Sequence, residues 1–336
     1  MPPWFVARAA TPDLKKPMPD QNRRLGIVMD PIESISPKKD SSLAMLLEAA
    51  RRDFDLVYLQ QDNLSLRAGV AHGRGQEIRV FDDTERWFEL GSAVDVPLGE
   101  LDVILMRKDP PFDMEYIYTT YLLERAELAG ALVVNRPQAL RDMNEKVFTA
   151  WFPELTPDTL VTRSMSAMKE FVAEHGTAVV KPLDGMGGRS IFVVRHGDNN
   201  ANVIFETLTD YGQRFAMAQT YVPEITDGDK RILLVDGEPI PAALARIPSA
   251  DDNRGNLVMG ATADGRELTA RDREICAAIG PVLKEKGVIF CGIDVIGDYL
   301  TEINSTSPTG IREIAKLCGV DAAERLFDAI ETRLDG

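Results

Sequence analysis

The chain has 336 residues, of which 44% are apolar and 27% charged, enough for two or three domains with filled cores. Acidic residues outnumber basic ones 53 to 38, and the resulting net charge of −15 disfavours nucleic acid and anionic membrane as partners. Three scattered cysteines (Cys276, Cys291, Cys318) exclude a disulfide scaffold and a CxxC metal site, and no apolar run approaches the ~18 residues of a membrane span, so a cytoplasmic, soluble chain is expected.

Residues 1–24 are rich in proline and charge and lack the apolar centre of a signal peptide. They read as a disordered tail, with Met18 as a second candidate start. From residue 25 strand and helix patterns alternate. Residues 25–29 form a short apolar strand, followed by a polar loop and a helix with Leu43, Leu46, Leu47 and Ala50 on one face, capped by Ser41 or Ser42. Residues 54–59 and 102–106 are strands, the latter ending at Arg107, and 115–129 is a helix before a strand at 131–135. Residues 60–100 predict short strands and a helix-like DDTERWFEL (82–90). Such alternation implies a parallel sheet with crossover helices, and ligands sit beyond the carboxyl ends of its strands.

The pattern changes near residue 140. Helices are expected at 144–152 and 166–175, strands at 178–181, 190–195, 215–221, 231–235 and 241–246, and a polar lid loop at 248–267. A helix at 269–286 has Thr269 as cap and Gly287 as stop. A last hairpin, 288–296 with 299–304, precedes terminal helices. The expected fold class is therefore α/β and α+β: an N-terminal parallel-sheet domain at 25–140, then a two-lobed domain at 141–336 with antiparallel strands. The small lobe (141–218) carries a glycine-rich loop; the large lobe (219–336) carries the lid and the last hairpin.

Three features carry chemistry. In KPLDGMGG (181–188), Gly185, Gly187 and Gly188 can offer backbone N–H groups to an anion, with Lys181 just before them. It is not a P-loop, because the lysine precedes the glycines and a strand follows; an ordinary hairpin loop is the alternative. In the last hairpin, Glu302 and Asn304 point to one face, and Asp294 lies on the partner strand. These oxygen donors suit Mg²⁺ together with phosphate oxygens. A two-residue Gly297–Asp298 turn with regular pairing would set Asp294 and Glu302 on opposite faces, so an odd-length or bulged connection is expected. Finally, Lys146, Lys181, Lys230, Arg231, Arg246 and Arg254 could form a phosphate clamp in an otherwise acidic chain.

Together with GIVMDPI (26–32), DVILMRKDPPFD (102–113), NEKVFTAWF (144–152), DGDKR (227–231) and GIDVIGDYLTEINSTSPTGIREI (292–314), these stretches resemble the ATP-grasp superfamily, and within it the prokaryotic glutathione synthetases. The resemblance runs from residue 25 to the C-terminus. It implies a pre-ATP-grasp domain followed by an ATP-grasp domain, and ATP-dependent joining of γ-glutamylcysteine to glycine through an acyl phosphate. It further implies ATP contacts from Lys146, Lys181, Gly185, Met186, Gly187, Gly188, Gln219, Tyr221, Val222 and Asp229. Two Mg²⁺ (or Mn²⁺) ions fall to Asp294, Glu302 and Asn304, and stabilisation of the acyl phosphate to Arg231 and Arg246, under a lid bearing Arg254, Gly255 and Asn256. Asp30, Ser41, Ser42, Arg107, Ser307 and Thr309 would face the dipeptide, and a homotetramer is implied. Arg189 departs from the small residue expected after the glycines. Other carboxylate–amine ligases of the superfamily (D-alanine–D-alanine ligase-like or glutamyl ligases) and a non-catalytic synapsin-like ATP-binding module are the alternatives.

Overall fold

In the computed structural model, residues 22–248 and 262–336 are described, so the expectations for residues 1–21 and for the centre of the lid lie outside them. The first sheet is built from β1 (Arg24–Val28), α1 (Ser41–Arg51), β2 (Asp55–Leu59), β3 (Leu64–Arg67), β4 (Val70–Val80), β5 (Phe88–Pro97), β6 (Val103–Met106), α2 (Met114–Leu128) and β7 (Leu132–Val134), followed by α3 (Pro137–Asp142). Its strand order is β3-β4-β2-β1-β6-β7, with β5 on β4; β2, β1, β6 and β7 run parallel. Those four are short and almost wholly buried, which is why they read as continuous apolar runs.

Three expectations are corrected here. Residues 82–90 are not helical: Asp83 accepts from Glu85 and Arg86 N–H and closes a turn, and Phe88 already belongs to β5. Of the strands of this region β3 is short, as expected, but β4 and β5 are long and form an extended antiparallel ribbon. Asp40, not Ser41 or Ser42, caps α1, its Oδ1 2.6 Å from Leu43 N. The serines are the first two residues of the helix, and their hydroxyls serve other partners.

The second sheet comprises β8 (Thr159–Thr162), α4 (Met165–His175), β9 (Thr177–Pro182), β10 (Phe192–Arg195), α5 (Ala201–Thr209) and β11 (Ala216–Thr220), in the antiparallel order β10-β9-β11-β8. β11 extends past residue 218, so Gln219 belongs to this sheet. Residues 144–152 form only a 3-10 turn, Val147–Trp151, with the Asn144 side chain accepting from the Lys146 and Val147 N–H groups ahead of it and Pro153 barring its continuation.

The third sheet comprises β12 (Asp229–Val235), β13 (Glu238–Ile247), β14 (Thr262–Arg266), α6 (Ala270–Lys286), β15 (Phe290–Ile296) and β16 (Tyr299–Asn304), ordered β14-β13-β12-β15-β16; α7 (Ile311–Cys318) and α8 (Ala322–Asp335) end the chain. Residues 262–266, expected in the lid, pair with β13 instead. One apolar core joins β1, β2 and β6 of the first sheet to β12, β13, α7 and α8, so the first and third sheets are cemented together. The small sheet has its own core with α4 and α5. No helix among the described residues is long and apolar enough to cross a membrane.

Candidate active site

The last hairpin meets its expectation through a bulge. The turn is the two residues Gly297 and Asp298, but the pairing slips so that Val295 faces Leu300 while Asp294 faces Glu302. Thr301 is the extra residue, and its hydroxyl donates to the Asp294 carbonyl at 3.1 Å. Asp294, Glu302 and Asn304 thereby reach one side of the sheet.

Asp294 is buried and saturated. Arg231 forks onto it (Nε–Oδ1 2.5 Å, Nη2–Oδ2 2.9 Å), Arg246 Nη2 lies 2.9 Å from Oδ1, and Asn304 Nδ2 donates at 3.1 Å. Burial alone would raise its pKa, but the two guanidinium groups hold it well below the usual carboxylate range. Arg246 also pairs with Asp229. Burial and the Asp294 charge outweigh that pairing and push Asp229 up to about 7. Glu302 sits between two lysines, 3.7 Å from Lys146 Nζ and 3.5 Å from Lys181 Nζ. They lower its pKa against the effect of burial, while burial lowers that of Lys181. Lys146 also donates to the Gly185 carbonyl at 2.7 Å, tying down the glycine loop, where Gly187 and Gly188 adopt positive φ.

All of these groups line one cavity of about 430 Å³ between the second and third sheets. Every residue expected to contact ATP lines it: Lys146, Lys181, Gly185, Met186, Gly187, Gly188, Gln219, Tyr221, Val222 and Asp229. So do Arg231, Arg246, Asp294, Glu302 and Asn304. The cavity is also lined by Val179, Ile191, Val193, Ile225 and Ile296, an apolar slot that no sequence motif marks because these are ordinary residue types in strands and turns. Thr220 Oγ1, Asp229 Oδ1 and Arg246 Nε are buried there with no partner among the described residues, groups that a polar ligand could satisfy.

The residues expected to face the dipeptide lie outside this cavity but form a cluster beside it, at the carboxyl ends of β1 and β6. Buried Arg107 donates from Nε to Ser42 Oγ and from Nη2 to the Pro308 carbonyl, both at 3.0 Å, and Ser307 Oγ donates to the Arg107 carbonyl. Ser41 Oγ accepts from Ile311 N–H, and Asp30 pairs with Lys108 at 2.9 Å. The Thr309 carbonyl accepts from Arg231 at 3.3 Å, joining the cluster to the cavity. Arg254, Gly255 and Asn256 lie outside the described residues. Lys230 turns away to pair with Asp272, at the capping box of α6.

The donor set fits a hard divalent cation. Among the described residues no three Asp, Glu, His or Cys side chains converge to hold an ion alone, but Glu302 and the amide oxygen of Asn304, joined by Asp294 once one of its present partners lets go, suit an ion that completes its shell with phosphate and water in this cationic cavity.

Residues 24–141 match the family model described as "Prokaryotic glutathione synthetase, N-terminal domain", and residues 145–319 the model "Prokaryotic glutathione synthetase, ATP-grasp domain". A "Glutathione synthetase" of Shewanella oneidensis is 58% identical over 311 residues, covering 93% of this chain and 99% of that one; one of Pseudomonas aeruginosa is 58% identical, covering 93% and 98%. Among solved structures, a D-cycloserine synthetase superposes with a TM-score of 0.66 at 16% identity, covering 93% of this chain and 99% of the other. D-alanyl-alanine synthetase A from Vibrio cholerae does so with 0.59 at 14% identity, covering 94% and 99%. These two show the shared fold. The chain belongs to the prokaryotic glutathione synthetase family of ATP-grasp ligases.

Proposed function

We propose that the 430 Å³ cavity takes ATP and that the Arg107 cluster takes the dipeptide whose carboxylate is activated. The chain is an ATP-dependent ligase that forms glutathione, which makes γ-glutamylcysteine, glycine and ATP its substrates. One observation carries the division of labour: four buried or nearly buried cations, Lys146, Lys181, Arg231 and Arg246, line the same cavity as the glycine loop in a chain of net charge −15.

In this reading Lys146, Lys181 and the loop of Gly185, Met186, Gly187 and Gly188 hold the phosphates. Gln219, Tyr221 and Val222 contact the base, and Asp229 faces the rest of the nucleoside. A carboxylate oxygen of γ-glutamylcysteine attacks the γ-phosphorus, the bond to the β-phosphate oxygen breaks, and ADP leaves. Arg231 and Arg246, already held at the cavity wall by Asp294, neutralise the charge shared among the equatorial oxygens. The glycine amine then attacks the acyl carbon, phosphate departs, and the amine loses its proton. Asp294, on giving up one of its present contacts, would join Glu302 and Asn304 in holding two magnesium or manganese ions, whose contribution is to neutralise phosphate charge. Arg254, Gly255 and Asn256 would cover the intermediate, since water would hydrolyse an acyl phosphate. Asp30, Ser41, Ser42, Arg107, Ser307 and Thr309 would orient the dipeptide. Family resemblance extends the reading to a cytoplasmic homotetramer.

Phosphate release from ATP, measured with candidate acceptor pairs, tests this. Turnover should require γ-glutamylcysteine and glycine together and yield glutathione. Faster turnover with D-alanine alone, or tight ATP binding with no turnover for any pair, would overturn it.

A further inference from the structure

One half-buried carboxylate in the cavity wall has no part in the reaction as described. Glu145 immediately precedes Lys146, and its Oε1 accepts twice from a single residue: Thr306 N–H at 3.0 Å and Thr306 Oγ1 at 2.7 Å. Its own carbonyl accepts from Ile303 N–H at 2.8 Å. It is therefore stitched to both ends of the segment 303–306, which leaves β16 and begins the loop 305–310.

That loop is where the two halves of the site meet. Its Pro308 carbonyl holds Arg107, its Ser307 hydroxyl reaches the Arg107 carbonyl, and its Thr309 carbonyl holds Arg231. On the other side, Lys146 grips the glycine loop through Gly185 and faces Glu302. The stretch 145–146 is thus bonded in one direction to the phosphate-side loop and in the other to the loop that seats the dipeptide-side arginine.

We propose that Glu145 is a positioning residue: through its paired hydrogen bonds to Thr306 it fixes the distance between the phosphate-holding lysines and the Arg107–Arg231 loop, and so sets the approach of the attacking carboxylate to the γ-phosphorus. The proposal rests on the assignment of ATP to the cavity and of the dipeptide to the Arg107 cluster. Each end keeps its own binding groups when the clasp is lost. What changes is their relative placement, and small misplacements of reacting groups can cost on the order of a hundredfold in rate. The effect should therefore fall on kcat and spare the affinity of either end.

The test uses the full-length enzyme with Glu145→Ala, Glu145→Gln, Thr306→Val and the double variant Glu145→Ala/Thr306→Val. Glutathione formation gives kcat and KM, and calorimetric titration with a non-hydrolysable ATP analogue gives Kd and the number of competent sites per chain. Glu145→Ala should lower kcat by at least roughly tenfold with one site per chain and Kd within about threefold of wild type. Glu145→Gln, which keeps the acceptor oxygen, should restore most of that loss. Thr306→Val, which keeps the N–H and drops only the hydroxyl, should give a smaller loss of kcat. The double variant should be no worse than Glu145→Ala, because both act through one contact. Should Glu145→Ala fail to fold, Thr306→Val and Glu145→Gln still decide the matter. The proposal is overturned if kcat stays within about twofold of wild type in both Glu145→Ala and Thr306→Val, or if the loss of kcat equals the loss of competent sites. It is also overturned if Glu145→Gln is as impaired as Glu145→Ala. A wild-type enzyme that makes no glutathione would instead sink the functional reading beneath it.

Discussion

Asp229 and Asp294 compete for the same guanidinium, and the competition is unequal. Asp294 takes the Arg231 fork and one contact from Arg246, and stays ionised far into acid. Among the described residues Asp229 pairs with Arg246 alone, and its Oδ1 is buried with no partner there. Burial and the neighbouring anion raise its pKa from 3.8 to about 7. Between those values the folded state holds a proton that the unfolded chain has lost, so this group's contribution to stability falls as pH rises through the window and levels off above it. The Asp229→Asn variant cannot titrate there. Its stability relative to wild type, read from urea midpoints of the nucleotide-free protein, should therefore rise between about pH 4 and pH 7. Parallel midpoint curves for the two proteins over that range would show that Asp229 is ionised throughout.

At the scale of elements, the site depends on close approach as much as on charge. β15 carries Gly292 between the stem of Arg231 on β12 and the loop 305–310. A Cβ at that position would lie 2.8 Å from Arg231 Cδ and 3.1 Å from Pro308 Cβ. The arginine would have to shift, because the loop is anchored by Arg107 and Thr306, and its fork on Asp294 would open. Gly292→Ala should accordingly lose at least about tenfold in kcat, the scale expected when one charge-stabilising donor is misplaced, while circular dichroism remains that of the wild type. Full activity would show that Arg231 has slack. Much of this architecture was legible beforehand, since β12 and β15 are mostly buried and their apolar residues announce them. The acid–acid–amide set was readable from strand periodicity, and even its bulge followed from the need to put Asp294 and Glu302 on one side. The β4–β5 ribbon was not legible: its faces are half exposed, so no period emerges, and the acidic turn around Asp83 imitates a helix start. Glu145 and the apolar slot escaped for a different reason. Their residue types are ordinary, and only the fold shows what they touch.

At the scale of the molecule, the first and third sheets must hold a fixed relation, because Arg107 comes from one and Arg231 from the other. Their shared apolar core supplies the cohesion, but apolar contact alone tolerates sliding. Asn135, at the end of β7, supplies the register. Its Nδ2 donates to the Phe290 and Ser305 carbonyls at 2.6 and 2.8 Å, and its Oδ1 accepts from Ile289 and Phe290 N–H at 2.8 and 2.9 Å. The side chain is 4% exposed, so water cannot replace it without entering the core. Removing the amide would strip buried backbone groups of their partners, at ~1–3 kcal/mol for each that stays unpaired. Asn135→Ala should therefore destabilise the protein by about 3 kcal/mol or more in denaturant unfolding. Asn135→Asp, which keeps the acceptor but loses the donors and buries a charge, should be no better. A loss below about 0.5 kcal/mol, the range of an ordinary surface substitution, would mean that the apolar core alone keeps the two sheets, and with them Arg107 and Arg231, in register.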